Sequence, residues 1–261
     1  MPPARRRARP PPESPATPAS EGRDGRLALD FNIDDITSLT PAMARCLALA
    51  REAARSDLPI LLQGETGTGK TILAQAIHNS SPRKQAAFIS FNASAMSDTL
   101  LESQLFGHEK GAFTGASSQR RGKFELAHRG TLFFDEIADM SPIAQAKILR
   151  AVEYGEFERL GGEEMLYANV RIITATNQAL RDLARRGAFR EDLFHRLNGL
   201  TLVIPPLRQR TEDLPGLIAN ELSQCAASAG KTITAIHPEA FQRLISYPWP
   251  GNLRELHRVI Q

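Results

Sequence analysis

The segment Gly64-Glu-Thr-Gly-Thr-Gly-Lys70-Thr71 decides the fold of this 261-residue chain. It follows a short apolar run and opens a helical pattern, which is the strand–loop–helix setting of a phosphate-binding loop. Its three glycines allow backbone conformations closed to other residues, so successive N–H groups can point at phosphate oxygens. The helix start adds a favourable dipole for an anion. We expect Lys70 to reach the β- and γ-phosphates of a nucleotide and the Thr71 hydroxyl to ligate Mg²⁺. The residues predicted to bind the nucleotide here are Gly64, Glu65, Thr66, Gly67, Thr68, Gly69, Lys70 and Thr71.

A second motif, Gly130-Thr-Leu-Phe-Phe-Asp135-Glu136, ends an apolar strand with two carboxylates. Sheets of α/β proteins bind their ligands at the carboxyl ends of the strands. We expect Asp135 to hold Mg²⁺ and Glu136 to polarise the attacking water as a general base. Such a run on its own is as often a surface strand end, and the phosphate loop upstream favours the catalytic interpretation.

Polar side chains also end two other predicted strands. Thr176 and Asn177 lie where they can position the γ-phosphate and water, although turn-forming residues commonly end a strand without any such role. Asn92 ends a further strand, and we expect its amide to hydrogen-bond Glu136. These three residues are therefore predicted to border the same site.

Strand-like and helical patterns alternate through the first two thirds of the chain. Helices are predicted over Leu39–Arg55, from Lys70 to His78, and from Ser141-Pro142, where Ile143, Ala146, Leu149 and Val152 line up on one face. Gly161-Gly162 is typical of a hairpin turn. This pattern predicts a doubly wound α/β core with a five-stranded parallel sheet. The predicted strands are Leu58–Gln63, Ala87–Asn92, Thr131–Asp135, Val170–Ala175 and Leu200–Ile204.

After Pro205-Pro206 the strand signal ends, and a small helical domain is predicted over residues 205–261. Its helices span Asp213–Ala229 and Pro238–Ser246, and a capping box over Asn252–Glu255 opens a third. The helical pattern is unfinished at Gln261, which predicts a C-terminal truncation of this domain.

The net positive charge of the chain is confined to its N-terminal 26 residues. Residues 1–26 hold six arginines, three acidic residues and seven of the seventeen prolines, and the other 235 residues carry 26 basic and 26 acidic groups. A Pro- and Arg-rich segment with few apolar residues predicts a disordered tail. Residues 27–204 then form the predicted α/β core. The neutral body offers no global charge for binding nucleic acid.

The number of cysteines and the hydropathy of the sequence indicate the cellular compartment. Cys46 and Cys225 are the only two cysteines, too few for a disulfide framework or a Cys-rich zinc site. No apolar run approaches the roughly 18 residues of a membrane-spanning helix, and the six histidines show no metal-ligand spacing. We therefore expect a cytoplasmic protein without a membrane segment.

Three arginines are candidates for sensing the γ-phosphate. Arg190 and Arg196 lie on a predicted helix far from the phosphate loop, where they could reach a neighbouring subunit's nucleotide and stabilise transition-state charge. A salt-bridged surface helix using Glu191 and Asp192 is the alternative. Arg254, in the helical domain, could fold onto bound nucleotide, or remain an ordinary solvated helix arginine.

The segment Glu102-Ser-Gln-Leu-Phe-Gly-His-Glu-Lys-Gly111-Ala-Phe113-Thr114-Gly115-Ala116 matches no catalytic pattern. It is a glycine-bounded loop carrying an aromatic ring and a hydroxyl. An apolar side chain at an exposed tip can grip a partner. Considered alone, a hairpin with Phe113 packed into the core is the favoured interpretation.

At this loop the sequence resembles the AAA+ central domain of bacterial enhancer-binding proteins, the activators of sigma-54 RNA polymerase. The hexapeptide Gly-Ala-Phe-Thr-Gly-Ala at 111–116 is the diagnostic motif of that family. The segments G-E-T-G-T-G-K, F-F-D-E, F-R-E-D-L-F-H-R-L and W-P-G-N-L-R-E-L match its other landmarks in order. The resemblance covers about residues 32–261 and implies an AAA+ P-loop NTPase core followed by a helical lid.

The resemblance also implies an ATPase that forms a ring, usually a hexamer, with ATP between subunits. The loop Gly111, Ala112, Phe113, Thr114, Gly115 and Ala116 would contact sigma-54, and hydrolysis would remodel the closed promoter complex. Carried over by position, Lys70, Thr71, Asp135 and Glu136 perform the nucleotide chemistry. By the same comparison Asn92 is the switch asparagine, Thr176 and Asn177 are sensor I, Arg190 and Arg196 are arginine fingers, and Arg254 is sensor II.

Family members usually continue into a helix-turn-helix domain, and many begin with a regulatory domain. Neither pattern occurs in these 261 residues, so no DNA-binding domain is expected in this chain. Two alternatives to an activator module stay open at this point. One is a truncated fragment that binds nucleotide without working, and the other is a non-catalytic regulator that binds DNA through its Arg-rich tail.

Overall fold

The computed structural model describes residues 31–94 and 96–261, so the N-terminal tail predicted over residues 1–26 lies outside the described part. Strands and helices alternate up to residue 203, and helices alone follow. In chain order the elements are α1 (Pro41–Ala54), β1 (Ile60–Gln63), α2 (Lys70–Asn79), β2 (Phe88–Asn92), α3 (Asp98–Phe106), β3 (Gly107–His108), β4 (Arg120–Arg121), α4 (Lys123–Leu126), β5 (Thr131–Asp135), α5 (Pro142–Tyr154), β6 (Glu156–Glu158), β7 (Met165–Tyr167), β8 (Arg171–Thr176), α6 (Leu180–Arg185), α7 (Glu191–Leu197), β9 (Leu200–Val203), α8 (Leu214–Ser228), α9 (Pro238–Ser246) and α10 (Asn252–Ile260). Short 3₁₀ turns cover Ile33–Asp35, Ile137–Asp139 and Leu207–Gln209.

The central sheet has five parallel strands in the order β2-β5-β8-β1-β9. All five predicted strands are confirmed, with ends that shift by no more than two residues. Strands β5 and β8 lie inside the sheet and are buried along nearly their whole length, as expected for strands covered on both faces. Because these strands are parallel to β1, their carboxyl ends lie at the same end of the sheet as the phosphate loop that follows β1.

Helices cover both faces of the sheet. One hydrophobic cluster joins α1 and α2 to the sheet, and a second joins α3, α5 and α7 to the opposite face. The predicted face of α5 is wrong in part, because Ile143 is 60% exposed while Ala144, Ile148 and Ala151 are buried. Positions three residues apart drift by about 60° per step around a helix, whereas steps of four and three stay on one face.

Two small insertions project beside the core. Strands β3 and β4 pair antiparallel and enclose the segment that contains residues 111–116. Strands β6 and β7 form the predicted hairpin, with Gly161-Gly162 in its turn. A bridge between His108 and Leu160 joins the two insertions.

The C-terminal helices α8, α9 and α10 form a separate small core around Leu214, Ile218, Trp249 and Leu256. The predicted capping box is corrected in one respect. The N-cap of α10 is Gly251, whose N–H donates to Glu255 Oε2 at 2.8 Å. The Asn252 side chain is turned instead toward the phosphate loop.

His78 on α2 predicts acid sensitivity of the fold. Its side chain is buried with Nδ1 2.9 Å from Thr131 Oγ1, and burial lowers its pKa below the ordinary 6.5. His78 therefore binds a proton more readily in the unfolded chain than in the folded one. The free energy of unfolding is unaffected by this residue above about pH 6.5, and below that pH it falls by up to about 1.4 kcal/mol per pH unit. Urea unfolding of wild type and His78→Gln between pH 5 and 7.5 tests this. A pH dependence identical in both proteins would contradict it.

Candidate functional site

The phosphate loop connects β1 to the first turn of α2 and closes on itself. Gly67 and Gly69 have φ values of 82° and 98°, a backbone region that side chains with a Cβ rarely adopt. Lys70 is buried, and its Nζ donates to Gly64 O at 2.9 Å and to Glu65 O at 3.3 Å. Thr68 Oγ1 also donates to Glu65 O, at 2.8 Å. The loop thus forms a compact backbone ring around a buried ammonium group.

The acidic pair lies at the carboxyl end of β5, next to this loop. Glu136 Oε1 is 3.5 Å from Lys70 Nζ, and Glu136 Oε2 accepts a hydrogen bond from Asn177 N at 3.2 Å. Glu136 also has a left-handed backbone with φ of 51°, a strain that proteins often keep at functional positions. Its carboxylate is therefore held beside the phosphate loop by one hydrogen bond and one ion pair.

Asn177 connects the loop with the acidic pair. Its Nδ2 donates to Thr66 Oγ1 at 3.3 Å, while its N–H holds Glu136. Thr176 is fully buried, and its Oγ1 accepts a hydrogen bond from Gln178 N at 3.0 Å. The structure thus brings Asn177 into the site, whereas the Thr176 hydroxyl stabilises the turn that positions Asn177.

The expected hydrogen bond from Asn92 to Glu136 is wrong in this structure. Asn92 lies opposite Asp135 in the β2–β5 pair, but its Oδ1 accepts from Ser94 N at 2.8 Å. An asparagine at a strand end readily bonds the backbone two residues later. Glu136 is paired with Lys70 and Asn177, and no described hydrogen bond joins it to Asn92.

Thr71 and Asp135 are the candidates for holding Mg²⁺. The Thr71 side chain is exposed in the first turn of α2, and Asp135 ends β5 half-buried. A hydroxyl and a carboxylate are the hard oxygen ligands that Mg²⁺ prefers. The buried Lys70 ammonium and the ten-residue helix α2 supply the positive charge and the N–H groups that a triphosphate requires. The chemistry of these residues therefore fits a magnesium-bound nucleotide.

The lid lies directly on the phosphate loop. A Cβ added at Gly67 would lie 3.2 Å from Arg254 Cβ, which places Arg254 beside the loop. Sequence reasoning missed two further links. Arg208 donates to both carboxylate oxygens of Glu65 at 2.7 and 2.6 Å, and its hydrogen bond lowers the Glu65 pKa. Asn252 Nδ2 donates to Thr66 O at 3.0 Å. No local pattern marks Arg208, whereas Asn252 lies two residues before Arg254 in the W-P-G-N-L-R-E-L segment.

Arg190 and Arg196 lie around α7, away from these contacts. Arg190 donates to both carboxylate oxygens of Asp192 at 3.0 and 2.7 Å. Arg196 donates to the Glu153 carbonyl at 2.9 Å. Among the described hydrogen bonds neither arginine contacts the phosphate loop of its own chain. The Arg190–Asp192 ion pair is the contact that the alternative interpretation, a salt-bridged surface helix, predicts.

The loop at residues 111–116 is closed and partly exposed. Gly111 N donates to Ala116 O at 2.9 Å, and Ala116 is buried. Phe113 is half-buried with its ring edge-on to His108, at a centroid distance of 5.0 Å, while Thr114 is exposed. Phe113 is therefore neither a core residue nor a free tip.

The β6–β7 hairpin supports this loop through contacts that sequence reasoning missed. Arg159 donates to Glu109 Oε1 at 2.9 Å and to both oxygens of Glu125 at 2.9 and 2.7 Å. The hairpin turn also packs closely, since a Cβ added at Gly161 would lie 2.9 Å from Ala112 Cβ. A buried carboxylate paired with arginine is the kind of contact that fixes two segments together.

Within the described ranges, no helix has the length and hydropathy needed to traverse a bilayer. No group of three or more potential His, Cys, Asp or Glu metal ligands occurs in that part of the chain either.

A parallel sheet carrying a phosphate loop, an acidic pair at a neighbouring strand end and a helical lid over the loop define an ATPase-type domain of the AAA+ class. The chain belongs to the sigma-54 interaction domain family, whose pattern matches residues 36–203, and an AAA+ ATPase lid domain matches residues 208–261.

Curated relatives include the Nif-specific regulatory proteins of Klebsiella oxytoca and Klebsiella pneumoniae. The first is 47% identical over 97% of this chain and 48% of its own length, and the second is 49% identical over 88% and 44%. The crystal structure of NtrX from Brucella abortus in complex with ATP is similar at 36% identity and a TM-score of 0.79, covering 87% of this chain and 51% of NtrX. The chain spans about half the length of the proteins it matches.

Proposed function

We propose that this chain is the ATP-hydrolysing module of a sigma-54-dependent transcriptional activator. It binds Mg·ATP between subunits of a ring, with a hexamer as the expected form, and couples hydrolysis to remodelling of the closed promoter complex of sigma-54 RNA polymerase. A cytoplasmic location follows from that partner. The placement of Glu136 between Lys70 and the Asn177 N–H carries the proposal, supported by family membership.

Glu136 acts as the general base. Its carboxylate accepts a proton from water as the water oxygen attacks the γ-phosphorus and the bond to the β–γ bridging oxygen breaks. Asn177 keeps the carboxylate in place through its N–H. Most of the rate enhancement comes from position and electrostatics, as in other phosphoryl transfers.

Lys70 supplies positive charge to the phosphates. Its ammonium now donates to the carbonyls of Gly64 and Glu65, and it can exchange these for phosphate oxygens without leaving the loop. Thr71 and Asp135 would hold Mg²⁺, which when bound neutralises charge on the β- and γ-phosphates. Arg254 adds charge from the lid side of the loop.

Arg190 and Arg196 act on the nucleotide of a neighbouring subunit. Both side chains are exposed and carry contacts only to nearby groups, Asp192 and the Glu153 carbonyl, among those the described residues make. An arginine that exchanges such a contact for a γ-phosphate stabilises transition-state charge. A ring with head-to-tail interfaces brings one subunit's arginine to the next subunit's site.

The loop at 111–116 contacts sigma-54, with the exposed Thr114 and half-buried Phe113 as its contact residues. The burial of Ala116 and the contacts of Arg159 with Glu109 and Glu125 support the loop from the protein's own residues. The Glu136–Lys70 arrangement and the relatives favour this catalytic role over a non-catalytic DNA-binding regulator and over an inert fragment.

Mixing two inactive variants tests the shared site. Lys70→Ala removes the phosphate contact and Arg190→Ala removes the neighbouring charge, so each alone is expected to hydrolyse ATP at least about 100-fold slower than wild type. An equal mixture should recover about a quarter of wild-type activity, the statistical share of interfaces that keep both groups. Wild-type activity per subunit should also rise with protein concentration. No recovery in mixed assemblies of confirmed ring size would contradict sharing between subunits.

A further inference from the structure

The first residue of α10, Asn252, connects the lid to the backbone of the phosphate loop through its side chain. It is fully buried and has a left-handed backbone, with φ of 53°. Its Oδ1 accepts from Leu207 N at 2.7 Å, and its Nδ2 donates to Thr66 O at 3.0 Å and lies 3.3 Å from Glu65 Oε2. One carboxamide therefore joins the start of the lid, the lid's last helix and the phosphate loop.

The neighbouring residue extends this contact along the loop. Leu253 N donates to Gly67 O at 2.9 Å, so the lid holds two successive loop carbonyls. The carbonyls of Gly64 and Glu65 are bonded from within the loop by Lys70 and Thr68. Among the described contacts of the backbone carbonyls from Gly64 to Gly67, only those of Thr66 and Gly67 accept hydrogen bonds from the lid.

Holding a carbonyl also orients the N–H of the same peptide. The peptide unit is planar and trans, so the Thr66 carbonyl and the Gly67 N–H point in opposite directions. With Thr66 O directed at Asn252, the Gly67 N–H is directed away from the lid helix. In a phosphate loop the inward N–H groups are the ones that bind the anion.

We propose that Asn252 is a positioning residue for the nucleotide: it fixes the Thr66–Gly67 peptide so that the Gly67 N–H is presented to a phosphate group. Phosphate affinity is thereby coupled to docking of the lid on the loop. This inference rests on the proposed binding of ATP at the loop. It assigns to Asn252 a role separate from that of Arg254, which carries charge.

Asn252→Asp isolates the contact with the loop. The carboxylate keeps an acceptor for Leu207 N, has no donor for Thr66 O and repels Glu65. We expect the dissociation constants of ATP and ADP, measured in the full chain by calorimetry, to rise about tenfold. The KM for ATP should rise by the same factor, while kcat at saturating ATP stays within about twofold of wild type.

Gln242→Glu is the matched control, because Gln242 is exposed on α9 and no described hydrogen bond joins it to the loop. It makes the same kind of amide-to-carboxylate change without touching the lid core, and should change nucleotide affinity by less than about twofold. Equal affinity losses in Gln242→Glu and Asn252→Asp, or wild-type affinity in Asn252→Asp, would overturn the inference. If Asn252→Asp does not fold, Asn252→Gly, which tolerates the positive φ, is expected to show the same loss. Wild type that binds neither nucleotide would overturn the proposed function itself.

Discussion

We expect Glu136→Gln to bind ATP with unchanged or higher affinity and to hydrolyse it at least about 100-fold more slowly than wild type. Glutamine keeps an acceptor oxygen for the Asn177 N–H, so the geometry of the turn is retained. It cannot take a proton from water, and that loss removes the general base. It also removes the negative charge 3.5 Å from Lys70 Nζ, which leaves more of the ammonium's charge for the phosphates.

Single-turnover hydrolysis of radiolabelled ATP, together with calorimetric binding, measures both effects. Glu239→Gln makes the same chemical change on the exposed face of α9 and should leave both quantities at wild-type values. Rapid hydrolysis by Glu136→Gln would show that another group is the base.

The second large effect is expected on the binding of sigma-54 by the loop at residues 111–116. Thr114→Ala should retain ATP hydrolysis within about twofold and capture sigma-54 at least about tenfold more weakly in the presence of an ATP transition-state analogue. Thr114 is exposed, and loop closure depends on the Gly111–Ala116 backbone hydrogen bond and the burial of Ala116. Removing the hydroxyl and methyl groups therefore changes the contact surface and leaves the loop in place.

Capture of purified sigma-54 by immobilised protein measures the effect. Thr232→Ala, a like change at an exposed position of the lid, is the control and should capture as wild type does. If Thr114→Ala captures sigma-54 as well as wild type does, Thr114 is not a contact residue. The role of Phe113 would then need separate proof.

The sequence predicted correctly which contiguous segments lie together at one end of the sheet. Gly64–Thr71, Asp135-Glu136 and Asn177 each end or follow a strand of the same parallel sheet, so their meeting follows from the sheet itself. Prediction failed where one side chain had several partners to choose from. The Asn92 Oδ1 accepts the nearby Ser94 N–H, a local bond that fixes the orientation of the carboxamide, and no described hydrogen bond joins its Nδ2 to Glu136.

Local sequence by itself determined the α/β alternation, the phosphate loop, the acidic strand end and the helical lid. These depend on period and spacing within a few residues, where glycine, apolar and charged side chains have strong local preferences. Only the tertiary structure decided that Asn252 holds Thr66, 186 residues away, and that Arg208 holds Glu65, 143 residues away. It also decided which face of α5 is buried and that Arg159 ties the hairpin to the loop at Glu109. Such contacts arise when separately formed elements pack, because the closest available donors and acceptors then pair irrespective of their distance along the chain.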